Sequence, residues 1–330
     1  MHCSILAVYY LLSFTTLIKK MKKKIIDYIR RLVGTKTLLK NADRDKKDLL
    51  FEIRKNQMIE HILHDSDRGV TENKYCNHDI IVSLTTHGKR IYDVAFSIES
   101  IMQQSMKANR IILWLDNSFR NQSLPESLVN QQKRGLEIAF CEDLGPYTKL
   151  IPSLHRYPND AIITIDDDAI YDFDLLEHLI IPYQSDPSNI YCFRIHKMKF
   201  EDNGTLLPYM KWDRHSTNSH SSHLNFATGV GGVLYPPHSL DEEVLDKETF
   251  LQICSTADDV WYKAMEIKKG TKVKKVFTRD PKCMEFVLNA SVQDVGLLNI
   301  NMKGEMLNDK QIHAVFSKYN IYSMIKDESL

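Results

Sequence analysis

The chain has 330 residues, 43% of them apolar, with 43 basic and 43 acidic side chains in balance. That length and apolar content suffice for a substantial core, built as one large domain or as a domain with appendages. Zero net charge excludes a global field directed at nucleic acid. Six scattered cysteines with no Cys-x-x-Cys pair argue for thiols in a reducing compartment rather than a disulfide framework.

The balance conceals an asymmetry at the N-terminus. Residues 3–18 are mostly apolar, slightly short for a transmembrane helix, and are followed rather than preceded by the lysines at 19–24. Met21 is an alternative start, so the status of residues 1–20 stays open. Between Lys19 and Lys47 basic residues outnumber acidic ones about four to one. From Lys22 to Leu39, Ile25, Ile26, Ile29, Leu32 and Val33 recur at helical spacing among lysines and arginines. This pattern suits an interfacial helix on an anionic membrane, with a solvated helix packed on its own domain as the competing reading; if residues 3–18 insert, the positive-inside rule keeps the bulk of the chain in the cytoplasm. Residues 1–75 are therefore expected as a basic helical extension, and residues 76–330 as the main domain.

The periodic core starts near Asp79. Ile80-Ile81-Val82-Ser83-Leu84-Thr85-Thr86 reads as a buried strand, followed by a polar loop with Arg90 and a helix to about Gln104. A second strand, Arg110 to Leu115, ends at Asp116. A helix over Glu126–Arg134 with Gly135 at its C-terminal cap leads to a third strand, Leu136–Cys141, and a short helix over Lys149–Tyr157. The run Ala161-Ile162-Ile163-Thr164-Ile165 then ends in Asp166-Asp167-Asp168. On an extended backbone Asp166 and Asp168 share one face while Asp167 points away. A helix over 173–181 and a strand over 189–195 continue the alternation. Strands and helices alternating at this spacing predict right-handed βαβ units in a doubly wound, mostly parallel α/β sheet with helices on both faces. Further on come Gly229-Val230-Gly231-Gly232 and a helix carrying Asp258-Asp259-Val260-Trp261.

Two carboxylates at the carboxyl edge of a parallel sheet sit where open α/β folds bind ligands. Relieving their repulsion calls for a hard cation, Mg²⁺ or Mn²⁺, with positions left for substrate phosphates. A plain acidic turn is the competing reading of the triplet, and helix capping the competing reading of Asp258 and Asp259. Trp212 and Trp261 are more often core than sugar platforms. His215, His220 and His223 lack the spacing of a zinc site.

Taken in order, the Thr-Thr strand end with Arg90, the helix Ser-Ile-Glu-Ser-Ile-Met-Gln-Gln, the strand ending in Asp116, the triplet, Gly-Val-Gly-Gly and Asp-Asp-Val-Trp resemble a bacterial glycosyltransferase of the GT-A fold, family 2-like, over roughly residues 79–315. The resemblance implies a nucleotide-sugar donor, UDP-linked by expectation, and a glycan or lipid-linked acceptor. It implies that Thr85, Thr86, Arg90, Asp116 and Lys149 bind the donor, with Asp166, Asp167, Gly231 and Gly232 around it. Asp168 would ligate the metal, supported by Asp166. The segment Asn308–His313 falls where such enzymes place a closing segment, which makes His313 a third candidate ligand.

The chemistry has its own logic. A metal at the diphosphate stabilises the departing charge, and the attacking hydroxyl needs a base. Asp259 is the candidate base and Asp258 its alternate; a single displacement inverts the anomeric centre. Two alternatives stay open: a phosphatase of the Asp-x-Asp type, and a carbohydrate- or nucleotide-binding module without turnover. The sequons at Asn121, Asn203 and Asn289 raise an extracytoplasmic alternative, which the position of the lysine cluster disfavours.

Overall fold

The β-branched runs of the sequence pair into one seven-stranded sheet, in a computed structural model that describes residues 24, 28, 34–35, 37–39, 41–280, 285–289 and 307–328. The apolar run 3–18 and most of the predicted interfacial helix lie outside the described residues. The chain divides into two units, residues 1–50 and 51–330. In the first, residues 41–50 are helical and leave Leu49 and Leu50 exposed. The second opens with helix α1 (51–64), which buries Phe51, Met58 and Ile62 along one stripe. Arg54 on α1 donates to the Tyr171 carbonyl at 2.9 Å. Residues 51–75 thus lie in the second unit.

The strands of the large sheet are β1 (Ile80–Thr85), β2 (Arg110–Asp116), β3 (Leu136–Cys141), β4 (Ala161–Thr164), β6 (Asn189–Cys192), β10 (Val233–Tyr235) and β11 (Lys272–Lys275), in the order β3-β2-β1-β4-β10-β6-β11. All neighbours run parallel except β10, which is antiparallel to both β4 and β6. Side chains alternate between two cores. Ile80, Val82 and Leu84 of β1, with Ile111, Leu113 and Leu115 of β2, pack on α2 (Val94–Met102), α3 (Glu126–Lys133) and α5 (Leu175–Ser185). Ile81, Ile112, Trp114 and Ile162 face the other way, toward α4 (Ile151–Arg156), α6 (Lys247–Ile253), α7 (Asp258–Lys269), α8 (Leu307–Lys318) and α9 (Ile321–Met324). Each such aliphatic side chain contributes about 1.5–3 kcal/mol on burial. Burial on both faces explains why the strands read as continuous apolar runs rather than alternating ones. The result is the expected doubly wound, mostly parallel α/β sheet.

Two smaller sheets complete the domain: β5 (Ala169–Tyr171) with β12 (Phe286–Leu288), and β7 (Ile195–Lys197) flanked by β8 (Asp213–Arg214) and β9 (Asn225–Ala227). They correct three sequence expectations. The strand into the triplet stops at Thr164, so the three carboxylates occupy a turn before β5. The expected strand 189–195 breaks after Cys192, because β6 and β7 belong to different sheets. The expected helix from Lys149 is a 3-10 turn over Gly145–Lys149 followed by α4.

Candidate functional site

The acidic triplet lies beside the carboxyl end of β1, where the strand order reverses between β1 and β4, the place at which open α/β sheets form a ligand crevice. Because β10 runs antiparallel, its N-terminal end, with Gly229 to Gly232, comes to this same edge: Val233 pairs with Thr164 on one side and Cys192 on the other.

The three carboxylates face different partners. Asp167, only 7% exposed, accepts from Thr86 Oγ1 at 2.6 Å and from Arg90 Nη1 at 2.7 Å. Arg90 Nη2 lies 3.4 Å from Asp168 Oδ2. A buried carboxylate persists only when paired and hydrogen-bonded, so Thr86, Arg90 and Asp167 form a brace that fixes the turn. The simple two-faced alternation of the triplet therefore does not hold, since the backbone has left the extended conformation and Arg90 meets both Asp167 and Asp168.

Asp166 turns toward Lys149, whose Nζ lies 3.0 Å from its Oδ1 and 3.3 Å from Asp258 Oδ2. Ser83 of β1 donates to the Lys149 carbonyl at 2.6 Å and pins the turn that presents this ammonium. Burial pulls Lys149 down, yet the Asp166, Asp258 and Asp259 carboxylates hold it well above its ordinary value. Asp258 and Asp259 occupy the first turn of α7, where the helix dipole favours a negative charge. Ala257, not Asp258, holds the capping position, and Asp258 is engaged by Lys149 instead. Burial raises both carboxyls. Asp259 is pushed up to about 7, by burial first and then by the Asp258 charge, with Lys149 opposing.

The glycine segment closes this cluster. The Gly229 amide donates to Asp259 Oδ2 at 3.3 Å, and a Cβ at Gly229 would sit 2.7 Å from Lys149 Nζ. A side chain there would displace the ammonium from its carboxylates. Gly231 instead packs on Phe193 and Arg194, and Gly232 has a positive φ of 88° beside Leu175. The residue of this segment that fronts the carboxylates is therefore Gly229, rather than the expected Gly231 and Gly232. Tyr171 ties the two sides together: its hydroxyl accepts from the Asp166 amide at 2.9 Å and donates to the Val230 carbonyl at 3.2 Å.

Other expected residues stand apart from this cluster. Thr85 Oγ1 donates to the Trp114 carbonyl at 2.9 Å, and Asp116 accepts from the Ser118 amide at 2.8 Å. Both thereby serve the local backbone at the same sheet edge. His313 is exposed on α8, outside the buried stripe of Gln311, Ile312, Val315 and Phe316. Among the described residues no three His, Cys, Asp or Glu side chains gather as a metal site. Trp212 and Trp261 are both buried.

Arg194 was missed by sequence reading. It sits at the break between β6 and β7, its Nε donating to Thr228 Oγ1 at 2.6 Å. The available signal was an arginine inside the otherwise apolar run Ile190 to Ile195.

Fold and site together define a Rossmann-like α/β protein with a cation-braced acidic cluster at its switch point. No protein-family description matches the chain, and no curated protein matches it. Among solved structures it is similar to S. aureus TarS in complex with UDP, at 13% identity and a TM-score of 0.40, over 61% of this chain and 58% of that one. It is also similar to the inositol-1-phosphate CTP transferase from T. maritima, at 11% identity and a TM-score of 0.38, over 69% of this chain and 98% of that one. Both likenesses are partial, and the architecture stated here rests on the chain's own strand order. No helix among the described residues is long and apolar enough to cross a membrane.

Proposed function

We propose that the chain is a glycosyltransferase, moving a sugar from a nucleotide-sugar donor to a hydroxyl of a glycan or lipid-linked acceptor with inversion. The observation that supports this most is the meeting of two acidic groups at one sheet edge. Asp166 of the triplet and Asp258 of α7 share one lysine, with Asp259 beside them at about 7. A carboxyl tuned near neutrality suits a general base that takes a proton from an attacking hydroxyl. In this reading Asp259 is that base, and Lys149 and the Gly229 amide hold it in place.

A divalent ion fits the residues present. Asp166 and Asp168 offer hard carboxylate oxygens, and Asp166 engages Lys149 through Oδ1 alone among the described contacts. Mg²⁺ is commonly held by one or two carboxylates together with substrate phosphates and water, so no third protein ligand is needed. When bound, such an ion stabilises charge on a leaving diphosphate. The Thr86–Arg90–Asp167 brace keeps the turn that carries both ligands in one conformation. Arg90 and Lys149 offset the repulsion of the triplet. The basic stretch near the N-terminus supports a peripheral position at the cytoplasmic face of a membrane.

Calorimetric titration of UDP in the presence and absence of Mn²⁺ tests the donor side. Asp168→Ala is expected to weaken Mn²⁺-dependent affinity by about tenfold or more; unchanged affinity would refute the assignment. A panel of nucleotide sugars then separates the classes. A transferase hydrolyses one slowly in a metal-dependent manner, a phosphatase cleaves a phosphomonoester instead, and a binding module turns over nothing.

A further inference from the structure

Two arginines stand at the three-stranded sheet beside the carboxylate cluster, Arg214 on β8 and Arg194 just before β7. In its register His196 pairs with Arg214 on one side and Phe226 on the other. Arg194, two residues before His196, lies opposite Thr228, whose amide donates to the Arg194 carbonyl at 3.1 Å. Arg194 precedes β7 and Arg214 lies on β8 across from His196, and both charges bear on the buried His196 ring, which has the Tyr209 ring 5.7 Å away.

Arg194 adjoins the candidate base through two successive residues. Thr228 accepts from Arg194, and the next amide, Gly229, donates to Asp259. Among the described residues no ion pair joins Arg194 or Arg214 to a carboxylate, and the Asp259 and Asp166 charges act on Arg194 only from beyond contact. His196 supplies no charge. Burial, then Arg194, pushes it down to about 3, and its Nδ1 accepts from the His215 amide at 3.2 Å. Arg194 is half-buried, and two neighbouring guanidiniums without a contacting counter-charge favour an anionic guest.

We propose that Arg194 and Arg214 form a subsite for an anionic group, phosphate or carboxylate, carried by the acceptor next to the hydroxyl that Asp259 deprotonates. This deepens the glycosyltransferase reading and rests on it, since it assigns an acidic acceptor to the same crevice. Arg194 holds the group nearer the base. Arg214, exposed on the edge strand β8, draws it in from solvent.

The test uses the full chain and inorganic phosphate as the probe, with calorimetric titration of phosphate and, separately, of UDP with Mn²⁺. In Arg194→Gln phosphate affinity is expected to fall about tenfold, the worth of a charge-assisted hydrogen bond, while UDP affinity changes less than about threefold. Phosphate and UDP are expected to bind together. Unchanged phosphate affinity in Arg194→Gln overturns the proposal, as does absence of phosphate binding to the wild-type chain. Competition between phosphate and UDP, with both weakened in Arg194→Gln, also overturns it and assigns Arg194 to the donor diphosphate. Should Arg194→Gln not fold, Arg214→Gln carries the same test at an exposed position, where unchanged phosphate affinity is again the refuting result. If UDP binds no form of the protein, the glycosyltransferase reading fails while the phosphate titration still reports on the subsite.

Discussion

Replacing Lys149 by Met keeps the apolar stem and removes an ammonium that lies 3.0 Å from Asp166 and 3.3 Å from Asp258. At an effective dielectric near 20, unit charges at such a distance attract by about 5 kcal/mol before desolvation is subtracted. Removing one partner of a buried pair costs about 3–5 kcal/mol, because the remaining charge is left uncompensated. That cost depends on pH. Asp259 has a folded-state value of about 7, raised by burial and by Asp258, against about 3.9 in an unfolded chain. A carboxyl raised in this way stabilises the fold fully below about pH 4, and the contribution disappears as pH climbs to about 7. Lys149, held above its ordinary value, stays charged throughout this window and limits the loss. Without it the Asp258 and Asp259 carboxyls move higher still. Lys149→Met should therefore be less stable than wild type at both pH values, because the Asp166 pair is lost in each, and more so near pH 8, where Asp259 is ionised as well and the loss reaches about 3–5 kcal/mol. Urea denaturation at the two pH values, with unchanged m, reads the difference directly. An equal stability gap at pH 5 and pH 8 would show that the Lys149 charge does not act on Asp259, and no gap at either pH would sink the account of the site.

Three further outcomes follow from the same geometry. Asp259→Asn should keep Mn²⁺-dependent UDP binding and lose about 10²–10⁴-fold in sugar transfer, with the wild-type rate rising as pH passes through about 7; undiminished transfer removes Asp259 as base. Gly229→Ala places a methyl group 2.7 Å from the mobile end of Lys149. The fold should survive while the ammonium is displaced, shifting the acid limb of the rate profile upward, and an unshifted limb with full activity argues against the contact. Arg134→Met strips the partner from Glu99, a fully buried carboxylate that accepts from Arg134 Nη1 at 2.9 Å. It should lower unfolding free energy by about 3–5 kcal/mol in denaturant melts without altering UDP affinity.

How the site assembles explains what could be read early. The strands were legible because β-branched residues in the runs Ile80–Leu84, Ile111–Leu115 and Ala161–Ile165 are buried on both faces, and burial leaves a mark in local composition. The triplet and the Asp258-Asp259 pair were legible because consecutive carboxylates next to apolar runs are costly unless something neutralises them. Gly229 was visible as part of a glycine segment, though not as the member that matters. What touches it, Lys149 Nζ, comes from a turn between β3 and β4.

The sequence by itself thus determined the strands, their alternation with helices, and the carboxylates at their ends, since each depends on neighbours within a few residues. Only the tertiary structure decided that Asp167 turns inward to Thr86 and Arg90, that Asp166 and Asp258 share Lys149, and that Arg194 emerges at the break between two sheets. Those pairings depend on strand order and on the reversed direction of β10. Local periodicity reports how deeply a residue is buried, but not which distant charge it will meet there.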